Sequence, residues 1–176
     1  MRLFLVSVFV TVLTASPAFA GTPITKDMID AKYAQLEKAL NSRSNYNEAI
    51  KVMHEQISDD AKFRLTVTNP TLEEKGKSPV MEMNKQDYIN TYIQGTHAVA
   101  DYKIDIAASQ FQYDPSRKTA FTLDILTEYG TMPSELNSGK AFISRTTCRT
   151  SHELRKGSLV ATASECHTDI SFEEEI

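Results

Sequence analysis

The sequence predicts an α+β domain, with three N-terminal helices packed on a curved antiparallel sheet. Three observations predict it. Apolar residues recur at helical spacing in three segments before residue 97. From Asp101 onward the period changes to two. Cys148 and Cys166 fall opposite one another when the last two apolar runs are folded into a hairpin. Helices first and a strand meander after them is the order of a segregated α+β fold.

The chain has 176 residues, the size of one ordinary domain. Hydrophobic residues make up 41% and charged residues 24%, within the range for a soluble globular protein. Two cysteines exclude a disulfide-dense miniprotein or a multi-cysteine zinc module. The formal net charge is −4, and no basic cluster exceeds Arg155-Lys156, which disfavours a nucleic-acid partner. Arg2, the apolar run Leu3–Leu13 and the small-x-small site Ala18-Phe19-Ala20 read as a secretory signal peptide over residues 1–20, cleaved after Ala20. Residues 21–176 then form a single α+β domain. No later stretch is long and apolar enough to cross a membrane. The only glycosylation-like site is void, because Pro70 follows Asn69. A periplasmic or secreted location follows from the leader.

Thr25 caps the first helix, in which Ile29, Tyr33, Leu36 and Leu40 form one stripe. Asn45 caps the second, with Glu48 at the capping-box position and Tyr46, Ile50, Met53 and Ile57 at helical spacing. Ser58-Asp59-Asp60 ends it. Phe63, Leu65 and Val67 alternate with polar residues in a half-buried strand over 61–68. Residues 69–79 read as a polar loop. Asn84 caps a third helix with Tyr88, Ile89, Tyr92, Ile93 and Thr96 on one side. Tyr102, Ile104, Ile106 and Ala108 then define a strand, Asp114-Pro115-Ser116 a turn, and Phe121, Leu123 and Ile125 the next strand. Gly130–Gly139 is a loop. Ala141–Glu153 and Leu159–Phe172 are two long strands joined near Gly157, and Glu173-Glu174-Glu175 is a solvated tail.

The last hairpin can be registered from its side chains. Setting Cys148 opposite Cys166 also sets Arg149 opposite Glu165, Arg145 opposite Asp169 and Phe142 opposite Phe172, all favourable cross-strand pairs. A shift by one residue sends the two cysteines to opposite faces. Facing positions in an exported chain predict a Cys148–Cys166 disulfide. The rival is a zinc site from Cys148, His152, Cys166 and His167, but His167 points to the other face in this register.

No catalytic signature is present. His54-Glu55 and His152-Glu153 begin a zinc-protease motif that no second histidine completes. Ser151-His152-Glu153 are strand neighbours on alternating faces, so they cannot form a relay. Arg145, Arg149, Glu165, His167 and Asp169 share a face and read as a ladder of exposed ion pairs rather than a catalytic set. Tyr33, Tyr46, Tyr88 and Tyr92 read first as core positions and second as pocket lining.

The element order resembles the nuclear-transport-factor-2-like superfamily, the cone-like fold shared with ketosteroid isomerase and the polyketide cyclases. The tandem helices 26–40 and 46–57, strand 61–68, capped helix 84–99 and the strands from 101 to 172 carry the resemblance. It implies a cavity that in this superfamily hosts isomerases, dehydratases, cyclases, plain binders and periplasmic assembly domains, so the fold does not select a function. The enzymes place an acid or a His–Asp pair on inward positions. Here the inward set on the cysteine face is Ser144, Thr146, Thr150 and Thr168, and alternation sets Asp105 and Asp124 opposite the apolar residues of their strands.

The leading expectation is therefore a non-catalytic exported protein without a cofactor or metal. It would bind a small apolar ligand or an envelope protein through a pocket of Tyr92, Phe121, Leu123, Phe142 and Thr146. The second is an isomerase- or cyclase-type enzyme with His167, Asp169 or Asp124 as base. The third is a structural module of a periplasmic assembly, acting as a homodimer through its sheet face.

Overall fold

The computed structural model describes residues 23–42, 46–68, 78–116, 118–133 and 139–172. The expected signal peptide over residues 1–20, the expected cap Asn45, the residues 173–176 and most of the expected 69–79 loop lie outside them. The elements are α1 (Lys26–Asn41), α2 (Tyr46–Gln56), β1 (Ile57–Thr68), β2 (Val80–Asn84), α3 (Lys85–Ala98), β3 (Ala100–Tyr113), β4 (Thr119–Thr131), β5 (Ala141–Arg155) and β6 (Ser158–Phe172). Thr25 and Asn84 cap α1 and α3 through bonds from the backbone N–H of Met28 and Asp87.

Two features differ from the sequence expectation. The sheet is mixed: its order is β2-β1-β6-β5-β4-β3, and β1 lies parallel to β6 while every other pair is antiparallel. A six-stranded sheet is completed by β2, a five-residue edge strand with too little apolar alternation to register in the sequence. The strand expected over 61–68 is β1, which with β2 precedes α3, so only α1 and α2 stand N-terminal to the whole sheet.

The terminal hairpin has the expected register, with Cys148 opposite Cys166, Arg149 opposite Glu165, Arg145 opposite Asp169 and Phe142 opposite Phe172. Lys156 and Gly157 form its turn with φ of 51° and 82°. Two successive left-handed residues are the turn that matches strand twist, and glycine accepts the second position without a Cβ clash. The cysteines are bonded, with an S–S distance of 2.07 Å. Neither sulfur is a thiolate, so the zinc alternative loses its ligands.

One face of the sheet carries the helices. Leu40, Val52, Met53, Ile57, Phe63, Ile89, Tyr102 and Ile104 form the main core. Ile24, Ile29, Tyr33 and Ala120 form a smaller one beside it. The α1 side chains also cover the free edge of β3. Asn41 exchanges two 2.8 Å bonds with the backbone of Ile104, and Glu37 accepts from the Ile106 N–H at 2.8 Å. An edge strand masked in this way cannot template a foreign strand along that stretch.

Candidate functional site

The helix-covered face of β4, β5 and β6 is polar. Thr122, Asp124, Ser144, Thr146, Thr150, His152, Ser164 and Thr168 are all buried there. Their hydroxyls pair across strands: Thr146 with Thr168 at 2.7 Å, Thr150 with Ser164 at 3.0 Å, and Ser144 donating to Glu128 at 3.3 Å. Such pairs offset the desolvation that burial imposes.

Asp124 corrects the sequence expectation. It was set opposite the apolar side of its strand and therefore outward; it is only 3% exposed and faces the helices. The reason is register. Asp124 pairs with Cys148, paired residues share a face, and the disulfide fixes that face inward. The apolar residues of β4 consequently point away. Phe121 is 47% exposed and Leu123 is half-buried on the outer face, so neither lies on the interior wall expected for it. Phe142 and Thr146 are buried on the inner face. His167 and Asp169 are exposed on the outer face, 3.2 Å apart, away from the interior.

A cavity of about 80 Å³ lies between the helices and this polar face. Lys32, Tyr33, Asp124, Thr150 and His152 contribute its polar wall, and Met53, Phe63, Tyr88 and Tyr92 much of its apolar wall. Of the residues lining it, Leu36, Tyr88, Tyr92, Ile106 and Leu126 are only partly buried.

The α1 stripe delivers two polar side chains into this space. Lys32 Nζ donates to the carbonyl of Gln56, the last residue of α2, at 3.0 Å, and lies 3.4 Å from His152 Nδ1. With Nζ as the donor Nδ1 accepts, and a neutral ring then carries its proton on Nε2, which lies 3.1 Å from the Tyr33 hydroxyl and 3.0 Å from that of Thr122. The Tyr33 and Thr122 hydroxyls are 3.2 Å apart.

Burial dominates the electrostatics. It pushes the His152 imidazole down to about 3, with the Lys32 charge adding to the effect, so His152 is neutral across the physiological range. It lowers Lys32 to about 7, opposed by the Asp124 charge. It raises Asp124 above the ordinary carboxylate range, opposed by the hydroxyls of Thr150, Thr122 and Tyr33 and by the charge of Lys32. Thr150 donates to Asp124 Oδ2 at 2.5 Å, while Oδ1 is buried without a hydrogen-bond partner. A second cluster sits further along β4. Tyr102 donates to Glu128 at 2.7 Å, and the Tyr92 hydroxyl meets both Tyr102 and Glu128. Tyr46 lies apart from the cavity, stacked on His97.

This arrangement joins a carboxylate with a free oxygen, an amine close to neutrality, a neutral imidazole and a phenol around one small space. These are the components of proton transfer. Among the described residues no group of three or more His, Cys, Asp and Glu is placed to hold a metal ion, and no helix is long and apolar enough to cross a membrane.

No family model and no curated protein matches the chain. Solved structures do. A hexachlorocyclohexane dehydrochlorinase, LinA-type3 from Novosphingobium barchaimii LL02, gives a TM-score of 0.58 at 10% identity, covering 85% of this chain and 90% of that one. A scytalone dehydratase-like protein from Novosphingobium aromaticivorans DSM 12444 gives 0.57 at 11% identity, covering 85% and 88%. A protein with a cystatin-like fold from Caulobacter vibrioides gives 0.55 at 12% identity, covering 81% and 87%. Identities this low speak for the fold alone: the chain shares the overall α+β fold of these proteins.

Proposed function

We propose that the interior is a proton-transfer site of the isomerase or lyase type. The observation that carries this reading is the unpartnered Oδ1 of Asp124 on a cavity that also receives Lys32, Tyr33 and His152. Leaving a buried acceptor unpaired costs about 1–3 kcal/mol, and the amide oxygen of Gln56, which lines the same cavity, is unpaired too, so both are free to meet a ligand there. Asp124 is the base. Its raised pKa makes it a stronger proton acceptor than an exposed aspartate while leaving it able to ionise. In the step, Oδ1 takes a proton from a carbon acid, and the electron pair moves to an adjacent electronegative atom within reach of the Tyr33 O–H or Lys32 N–H. Return of the proton to another carbon gives isomerisation, and expulsion of a leaving group gives elimination. Eliminations are also what the names of the dehydrochlorinase and dehydratase neighbours describe.

A cavity of about 80 Å³ is roughly half the volume that accepts benzene in an engineered protein core, so the reacting part of the substrate has three or four heavy atoms. Acetone is a suitable probe. Wild type should exchange its methyl protons for solvent deuterium, followed by NMR, faster than buffer does. Asp124→Asn should lower the enzymatic rate by about 10²–10⁴-fold. Exchange equal in the two proteins removes Asp124 from the role of base.

The disulfide fits an oxidising, extracytoplasmic compartment, in line with the leader-like residues 1–20. A second reading concerns the outer sheet face. Phe121, Tyr129 and Ile143 are exposed there, beside the rows containing Arg145, Arg149, Glu165 and Asp169. Phe121 and the Tyr129–Ile143 pair stand near opposite ends of β4, so the apolar side chains form a row along the strand beside a row of balanced charge, which suits pairing with a second copy under a two-fold axis. Sedimentation velocity at micromolar concentration should report a dimer that Phe121→Glu dissociates. A monomeric wild type ends this reading.

A further inference from the structure

We propose that Lys32 is a carbonyl-capturing amine: a small aldehyde or ketone entering the cavity condenses with its Nζ to form an imine. The inference rests on the proton-transfer reading and names its substrate class.

The geometry is that of a nucleophile rather than an ion pair. Lys32 is 8% exposed, and its two hydrogen-bond partners, the Gln56 carbonyl and the His152 ring, are both uncharged. A neutral amine has two N–H donors and one lone pair, whereas an ammonium has three donors and none. Two acceptors match the two donors of the neutral form and leave the third position of the nitrogen for the lone pair, at a cavity that Lys32 lines. The Gln56 carbonyl ends α2, and a helix C-terminus favours a cation by about 0.3–1 kcal/mol. Burial outweighs that preference, as it does the field of Asp124.

Other titratable groups around the cavity are Tyr33 from α1, Tyr88 and Tyr92 from α3, His152 from β5 and Asp124 from β4. The three tyrosines are held protonated by burial and His152 is held neutral, so among the described residues lining the cavity Asp124 is the one charged partner. In the reaction, the Nζ lone pair attacks the carbonyl carbon and the carbonyl oxygen leaves as water with the two hydrogens of the amine. Amine and carbonyl thus give imine and water, with no change of oxidation state. Protonation of the imine nitrogen then makes the neighbouring C–H acidic. Asp124 Oδ1 takes that proton and the electron pair moves onto the iminium nitrogen, which joins the two roles in one cavity.

The test is reductive trapping of wild type with acetone and cyanoborohydride, which supplies hydride to the imine carbon and leaves an isopropyl group on nitrogen. Peptide masses report each lysine separately. At pH 7 an ordinary exposed lysine is neutral in about one molecule in a few thousand, and Lys32 in about half. Lys32 should therefore be alkylated at least about a hundredfold faster than exposed Lys38 and Lys62, with a rate that levels off above pH 7 while theirs keeps climbing. Alkylation of Lys32 no faster than these two, or a rate that rises with theirs to pH 9, overturns the proposal. Asp124→Asn separates the two readings. It should lower deuterium exchange by about 10²–10⁴-fold but keep Lys32 trapping, with the plateau moved to lower pH because the field that favours the ammonium is gone. Exchange without trapping in wild type leaves Asp124 as base and rejects the imine; trapping without exchange does the reverse.

Discussion

Lys32 and Asp124 are held in one small cavity by opposing forces. Burial favours the neutral form of each, and the attraction between them favours the charged form of each. Burial is the larger effect at both: it brings Lys32 down to about 7 and moves Asp124 upward from the ordinary carboxylate value. The two shifts run toward each other, which places a strengthened proton acceptor beside an amine that is partly neutral at pH 7. Of the two, Asp124 was named from the sequence but placed on the wrong face. Its strand reads apolar at 121, 123 and 125, and alternation alone assigns the apolar set inward. Register with β5 decides otherwise, and that information lies in another strand. Lys32 carries a signal in the sequence as well. It sits between Ile29 and Leu36 on the buried stripe of α1, where an unpaired lysine conflicts with its surroundings. His152 was weighed only as a neighbour of Ser151 and Glu153 or as a metal ligand, because its partners come from α1 and β4, far away in the chain.

Strands near in sequence declared themselves, and strands far apart did not. The β5–β6 register was legible because charge, aromatic and sulfur pairs all select one alignment across a two-residue turn. The parallel β1–β6 pair was not, since nothing local in either strand states which distant edge it will meet. A prediction follows for the β5–β6 unit. The disulfide joins positions 18 residues apart, and closing a loop of that size in the unfolded chain is worth about 3 kcal/mol. Reduction should lower the free energy of unfolding by about that amount while the ladder and the cavity persist. Urea denaturation with and without reductant measures it. A loss below about 1 kcal/mol would mean that the unfolded chain already holds these strands together.

The interior titrates as part of the folding equilibrium, and the signs can be followed group by group. His152 has a folded pKa near 3 against 6.5 unfolded. The unfolded chain therefore binds the extra proton between these values, and stability rises with pH across that window, complete above about 6.5. Lys32 acts likewise between about 7 and 10.5. Each contributes at most about 1.4 kcal/mol per pH unit inside its window. Asp124, raised above 3.8, has the opposite sign, and its contribution falls as pH rises through that lower range. Tyr33, Tyr88, Tyr92 and Tyr102 are all raised above 10.0 by burial, so their unfolded forms ionise first and stability falls again above about pH 10. The combination places maximum stability on the alkaline side, at about pH 9–10, whereas most proteins peak between about 5 and 8. Urea midpoints from pH 4 to 11 should trace this curve, and Lys32→Met should return the maximum to the neutral range by deleting the alkaline rise. A wild-type maximum at neutral pH would mean that Lys32 keeps its proton in the native state, which would also remove the free lone pair on which carbonyl capture depends.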